Sequence, residues 1–344
     1  MFEGLRKPEE LIVIVVTLLS YGCPPQAAVH AFGLDERTVA RWQKRAGAHC
    51  QHIHEAQVMQ GKLDLQHVQA DEMRVKGCQK IPWMALAVMV SSRLWLGGAV
   101  SLTRDRHLAD QLMRIVKACC QSLRPLLVLT DGWSAYPNSI GRAFREKVKR
   151  GTDRGRSRLQ AWPEILIGTV IKRTQKKRVV AVVRRMTQGY QQAAVALLRA
   201  TGGGNDLNTA FIERLNATFR QRLACLARRC RHAARRVDLL EAGMWLVGCT
   251  YNFCWPHHEL SRREAKARDR KGEVLITPAM ASGLTDHVWS MRELLSHRIP
   301  PPPWVAPKRR GRPPKAVMPV KKLVLARPRP LLRLRKGALC LSTK

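Results

Sequence analysis

The sequence predicts an α/β protein. A mixed sheet flanked by helices spans residues 67–299, an all-α unit over residues 1–57 precedes it, and a disordered basic tail follows from residue 300. Three observations carry this. Apolar runs of strand length at 67–76, 81–91, 93–102 and 126–130 enclose one helical period between Asp105 and Arg124. Three helical patterns punctuated by Pro and Gly come before them. The composition then changes at Pro300 to Pro303, and no Asp or Glu follows Glu293.

In the first unit, Pro8 suits the first turn of a helix that runs through Leu19 and stops at Tyr21-Gly22. Pro24 and Pro25 open a second helix through Phe32. Gly33-Leu34 makes a turn, and Asp35 caps a third helix from Glu36 to Arg45 and beyond. Val39, Trp42 and Ala46 of that helix face a core, leaving Arg37, Arg41, Lys44 and Arg45 exposed. A short turn followed by a basic helix is the helix-turn-helix arrangement, whose second helix enters the major groove. Contact with phosphates is therefore expected of these four residues; a helical hairpin packed on the rest of the chain is the competing reading.

Residues 58–66 read as a linker. Three strands follow, with Lys80-Ile-Pro82 as the first turn. In the second strand, Trp83, Ala85, Ala87 and Met89 alternate with Met84, Leu86, Val88 and Val90, so both faces are apolar and the strand is central. Leu108, Leu112, Ile115, Val116 and Cys119 give the helix its period. Leu126 to Thr130 is a buried strand stopped by Asp131-Gly132. Segment 138–163 reads as a helix leading into a basic loop, where Arg150, Arg154 and Arg156 are expected on phosphates. Residues 164–173 and 178–186 are two more strands, basic at their outer positions, joined by the turn 174–177.

The stretch Leu207 to Arg222 is a helix after the flexible Thr201-Gly-Gly-Gly-Asn-Asp206, with Asn208 as its N-cap. Phe211, Leu215 and Phe219 form its apolar stripe, while Glu213, Asn216, Ala217 and Arg220 share another face. Glu213 is thus a carboxylate beside a basic stripe near a helix start. An apolar helix runs from Val237 to about Tyr251, and Asn252 and His257 either line a site or hydrogen-bond within the core. Near the C-terminus, Arg310-Gly-Arg-Pro313 is similar to the AT-hook, in which Arg310 and Arg312 would reach into a narrow minor groove.

Lys and Arg number 61 against 25 acids, a formal charge of +36, which calls for a polyanionic partner and salt-sensitive binding. The apolar run Leu11 to Leu19 is too short to cross a bilayer, and its flank lacks the positive start of a signal peptide. No membrane role and a cytoplasmic location are expected. Ten Cys without a pairing framework suit a reducing compartment. Cys249, Cys254, His257 and His258 are poorly spaced for zinc and sit among apolar residues.

Three carboxylates stand out. Asp71 lies in a strand, Asp131 ends a core strand, and Glu213 lies on a helix. An acid beyond a strand end is badly placed for packing and well placed for chemistry. Three such acids can converge on two Mg²⁺ ions, which prefer oxygen ligands and typically sit about 3.5–4 Å apart in phosphoryl-transfer sites.

The segments Val68-Gln-Ala-Asp71-Glu72, Thr130-Asp-Gly-Trp-Ser-Ala-Tyr136 and Asn208-Thr-Ala-Phe-Ile-Glu213-Arg-Leu-Asn-Ala-Thr-Phe-Arg220 occur in this order. With Arg93-Leu-Trp-Leu-Gly-Gly98, Tyr251-Asn-Phe-Cys254 and Thr277 to His287, they make the chain resemble the DDE transposases of bacterial insertion sequences over roughly residues 5–315. The resemblance implies a ribonuclease-H-like core with Asp71, Asp131 and Glu213 as catalytic triad and metal ligands, using two Mg²⁺ or Mn²⁺ ions. Asp71 is preferred to Glu72, which points to the opposite side of its strand. The implied partners are the element's terminal inverted repeats, target DNA and a second copy of the chain, with Arg220 among the DNA contacts and a nucleoid-associated location. The family often carries a zinc ribbon ahead of its helix-turn-helix, so a longer natural chain or a truncated copy is expected. The alternatives are a catalytically inactive DNA-binding regulator or architectural protein, and a ribonuclease-H-like nuclease.

Overall fold

The computed structural model describes residues 1–77, 81–148, 157–176, 178–227, 233–267, 269, 274–300 and 304. Arg150, Arg154, Arg156, Arg310 and Arg312 lie outside the described residues. Residues 1–299 make one compact unit.

The first unit begins with helices α1 (Glu9–Ser20), α2 (Pro25–Phe32) and α3 (Glu36–Gln57). Gly33 takes the left-handed conformation between α2 and α3 (φ +59°), and Asp35 accepts from the backbone N–H of Arg37 and Thr38. The third helix runs far beyond Arg45 because Val39, Trp42, Ala46, Cys50, Ile53 and His54 keep one side of it buried. Its late turns meet the sheet, where the His54 ring lies 3.0 Å from Leu96 O. Residues 58–66 are not a free linker. Leu63 and Leu65 are buried, and Leu63 exchanges backbone hydrogen bonds with Cys119 and Gln121.

Strands β1 (His67–Arg74), β2 (Trp83–Met89) and β3 (Trp95–Ser101) form an antiparallel meander, followed by helix α4 (Arg106–Cys119) and strand β4 (Leu126–Thr130). Helix α5 (Ala135–Ala143) stops earlier than the basic periodicity of 138–163 suggested. Beyond it, Arg145–Val148 (β5) pairs with Arg158–Ala161 (β6) as a separate hairpin. Strands β7 (Ile165–Gln175) and β8 (Arg178–Gln188) complete a six-stranded mixed sheet in the order β3-β2-β1-β4-β7-β8. Strands β1, β4 and β7 are parallel neighbours, and the others add antiparallel.

Helices α6 (Gln191–Ala200), α7 (Ala210–Arg222) and α8 (Val237–Cys249) follow, then the short α9 (His258–Ala267), α10 (Pro278–Ala281) and α11 (Met291–Ser296). Successive strand residues face opposite sides. Leu127 and Leu129 therefore meet Ala194 and Leu198 of α6, while Leu126 and Val128 join the larger core with Tyr136 and Ile140 of α5. The sheet is thus flanked by helices on both faces. Among the described residues no helix is long and apolar enough to cross a membrane.

Candidate functional site

Strands β1 and β4 run parallel with Ala70 opposite Thr130, so the next residues, Asp71 and Asp131, come level where β4 ends. Asp131 opens a turn and its Oδ1 accepts from the N–H of Trp133 at 3.0 Å. This is the crevice beyond the carboxyl ends of parallel strands, where open α/β sheets bind ligands.

Asp71, Glu72 and Asp131 each bring a carboxylate oxygen within 4.8 Å of the other two. Glu72 departs from the expectation that strand alternation would take it away. It does face the other side of β1, toward Arg104 and Tyr136. Strand β4 stops at Thr130, however, so no backbone separates the two faces beyond that point. The longer Glu side chain then approaches Asp131 around the strand end. The Asp-Glu pair at 71–72 was the available signal, and alternation argued against it.

Burial raises the carboxyl of Asp71 to about pKa 7, with Glu72 and Asp131 adding repulsion. Burial and Asp131 also raise Glu72, while Arg104 opposes the shift. Arg104 donates its Nε to Glu72 Oε1 at 2.7 Å, lies 3.8 Å from Asp131, and stands 4.7 Å from the Trp133 ring centre. The Tyr136 hydroxyl is buried beside Glu72, and burial holds it well above the ordinary phenol range.

Helix α7 packs against β1 beside Asp71. Gln69, two residues before Asp71, accepts from the N–H groups of Phe211 (3.0 Å) and Ile212 (3.1 Å) and donates to Asn208 O at 2.8 Å. Asn208 itself accepts from the Ala210 N–H at 3.2 Å, but the capping position is Thr209. The buried face is Ile212, Leu215, Asn216 and Phe219 rather than one including Phe211, which lies under the Arg93 guanidinium. Asn216 faces inward because its Nδ2 donates to Asp71 Oδ2 at 2.7 Å.

Glu213 stands at the rim. Thr209 Oγ1 donates to it at 2.7 Å, and Lys172 forms an ion pair with it. Asp71 and Asp131 are thus brought together as expected and Glu72 joins them. Glu213 is near enough to add slightly to the repulsion on Asp71. Asp131, Arg104, Trp133, Ile171 and Lys172 line an open cleft of about 480 Å³ beside the acids.

The carboxylates fit a divalent cation. They offer hard oxygen donors, they repel one another at close range, and Glu72 Oε2 and Asn216 Oδ1 are buried without a hydrogen-bond partner. Among the described residues no other group of three His, Cys, Asp or Glu converges in this way. Cys249 instead donates its thiol to Cys50 O at 3.1 Å inside the core. Asn252 clamps both the N–H and the carbonyl of Trp95 at 2.9 Å, so its role is structural.

Arg37 and Arg41 are exposed, whereas Lys44 pairs with Asp238 at 3.1 Å and Arg45 donates to Glu3 O. Arg37, Arg41, Lys44, Arg222, Arg235 and Arg236 all border a groove of about 940 Å³. Arg220 is half-buried on α7. No family model matches the chain, and no curated protein does.

Proposed function

We propose that this chain is a DDE transposase, cleaving DNA at insertion-sequence ends and joining the freed 3′ end to target DNA with divalent metal. The observation that carries this is the delivery of Asp71 and Asp131 to one point by adjacent parallel strands, under a helix that bears Glu213. The order β3-β2-β1-β4-β7 with its antiparallel first three strands is compatible with a ribonuclease-H-like core.

Asp71 and Asp131 would hold Mg²⁺ or Mn²⁺, with Glu213 and Glu72 as candidates to complete the set. Bound cations would stabilise charge on the attacking and leaving oxygens of the phosphoryl displacement. The residues themselves do the positioning. Asn216 fixes the rotamer of Asp71, and Gln69 seats the first turn of α7 against the strand that carries Asp71. Arg104 restrains Glu72 and limits the repulsion around Asp131. The +36 charge supports DNA as the partner, and joining two ends calls for at least a dimer working at the nucleoid.

A Glu213→Gln variant is expected to keep binding the element ends while losing Mn²⁺-dependent cleavage and joining. A variant that still cuts and joins takes Glu213 out of the mechanism, and Glu72→Gln assayed beside it tells which glutamate completes the site. The second reading is an inactive DNA-binding regulator. It draws on the cations already engaged with the acids, Lys172 on Glu213 and Arg104 on Glu72. An effect on DNA that chelators leave unchanged favours it. Cleavage without strand-transfer products favours a simple nuclease.

A further inference from the structure

Strand β7 pairs with β4 only through Ile165 to Thr169; from Val170 to Gln175 its sole sheet partner is β8. Thr169 is level with Thr130, the residue before Asp131. The β7–β8 ribbon therefore leaves the sheet at the edge where the acids lie. Six further residues at about 3.3 Å each carry it roughly 20 Å onward. Lys172 to Lys176 are exposed, as are Arg178 to Arg185.

The ribbon's composition is one-sided in charge. No Asp or Glu occurs between Glu164 and Asp206. At the root, Lys172 holds Glu213, Arg184 donates to Leu207 O and Arg185 donates to Thr169 Oγ1. Farther out, the side chains of Arg173, Lys176 and Arg178 make no hydrogen bond or ion pair among the described residues. Val179, Val180, Val182 and Val183 are exposed by 36–58 %. Such β-branched residues favour an extended strand even without a core beneath them.

We infer that the β7–β8 ribbon is the arm that grips the phosphate backbone of duplex DNA beside the acidic cleft, through Arg173, Lys176 and Arg178. Ile171 and Lys172 at its root form a wall of the cleft that contains Asp131. Three crowded carboxylates repel a phosphate, so fixed cations must hold the duplex against them. A 20 Å arm spans the rise of about six base pairs at 3.4 Å each. Pairing with a second copy is disfavoured by charge, since an antiparallel register centred on Ala181 sets Arg178 opposite Arg184.

The inference rests on DNA being the substrate, and the test separates the two. Full-length chain and a variant carrying Arg173→Ala, Lys176→Ala and Arg178→Ala are titrated with a 30-base-pair duplex of arbitrary sequence between about 50 and 200 mM salt. Removing one cation from a phosphate flattens the slope of log affinity against log salt by about 0.9, so a change of up to about 2.7 is expected for all three. Lysine in place of Arg173 and Arg178 should retain most of the slope. An unchanged slope in the alanine variant, with intact binding, overturns the arm and leaves the transposase reading standing. A wild-type chain that binds no duplex overturns both. A change in oligomeric state with no change in slope assigns the ribbon to a second copy and overturns the DNA contact.

Discussion

Asp71 accepts a 2.7 Å hydrogen bond from Asn216 while Glu72 and Asp131 crowd it from the other sides. Its carboxyl titrates near 7 in the fold against an ordinary value of 3.8. Between about pH 4 and 7 the native state thus keeps a proton that the unfolded chain has released. The share of Asp71 in the stability of the metal-free protein falls as pH rises through that window, whereas His49, His54, His67 and His257, held by burial below the ordinary histidine value, contribute in the opposite sense. Melting the wild type beside Asp71→Asn in chelator at pH 5 and pH 8 isolates this share. Asp71→Asn should raise the pH 8 midpoint by on the order of 5 °C over the wild type and change the pH 5 midpoint far less, while Mg²⁺ should stabilise the wild type and not the variant. A variant that raises the two midpoints equally, or raises neither, would show that the cluster does not carry this strain. Substituting Asn216 with Leu leaves Asp71 Oδ2 without its donor and is expected to cost about 1–3 kcal/mol, read as a lower denaturation midpoint.

Helix α7 is anchored from outside itself. Its own capping residue, Thr209, makes no side-chain cap, and the orphan N–H groups of Phe211 and Ile212 are taken by Gln69 from the neighbouring strand. Gln69→Leu should therefore free the first turn, at about 1–3 kcal/mol. Hydrogen exchange at Phe211 and Ile212 should quicken by more than at Phe219, and cleavage should fall further than the lost stability explains. Equal exchange at both ends of the helix would rule out this anchoring. The period of α7 and the burial of Leu215 and Phe219 were legible in the sequence, but the inward place of Asn216 was not. Asn216 is polar and buried for the sake of Asp71, and a hydrophobic count cannot see such a partner. Strands β1 to β4 were legible from apolar runs of the right length. Alternation sets Glu72 on the other face of β1 correctly but leaves it out of the cluster, because it assumes a sheet that continues on both sides, and β4 does not. In 138–163 the charges spoke for helix or loop, while the pairing of Arg145–Val148 with Arg158–Ala161 depends on contacts between distant residues.

Taken whole, residues 1–299 do not divide at the boundary near residue 57 that the helical pattern suggested. Helix α8 is apolar on nearly all sides, with Leu240 and every residue from Ala242 to Cys249 buried. Such a helix needs cover all round, and α3 supplies one side of it. The approach is close: a Cβ on Gly47 would come 2.4 Å from the carbonyl oxygen of Ala242. Gly47→Ala should thus force the two helices apart, at about 1–3 kcal/mol, in one cooperative melting transition with the sheet. Deleting residues 1–57 is the stronger test. It strips Trp42, Cys50, Ile53 and His54 from the core and uncovers α8, so residues 58–299 are expected to lack a native near-ultraviolet circular dichroism spectrum and to aggregate. A soluble 58–299 fragment with the native spectrum would mean that the first three helices are an appended module. If the deletion unfolds the sheet instead, Arg37 and Arg41 are held in fixed relation to Asp71 and Asp131, so DNA held by α3 would be presented to the acids in one orientation.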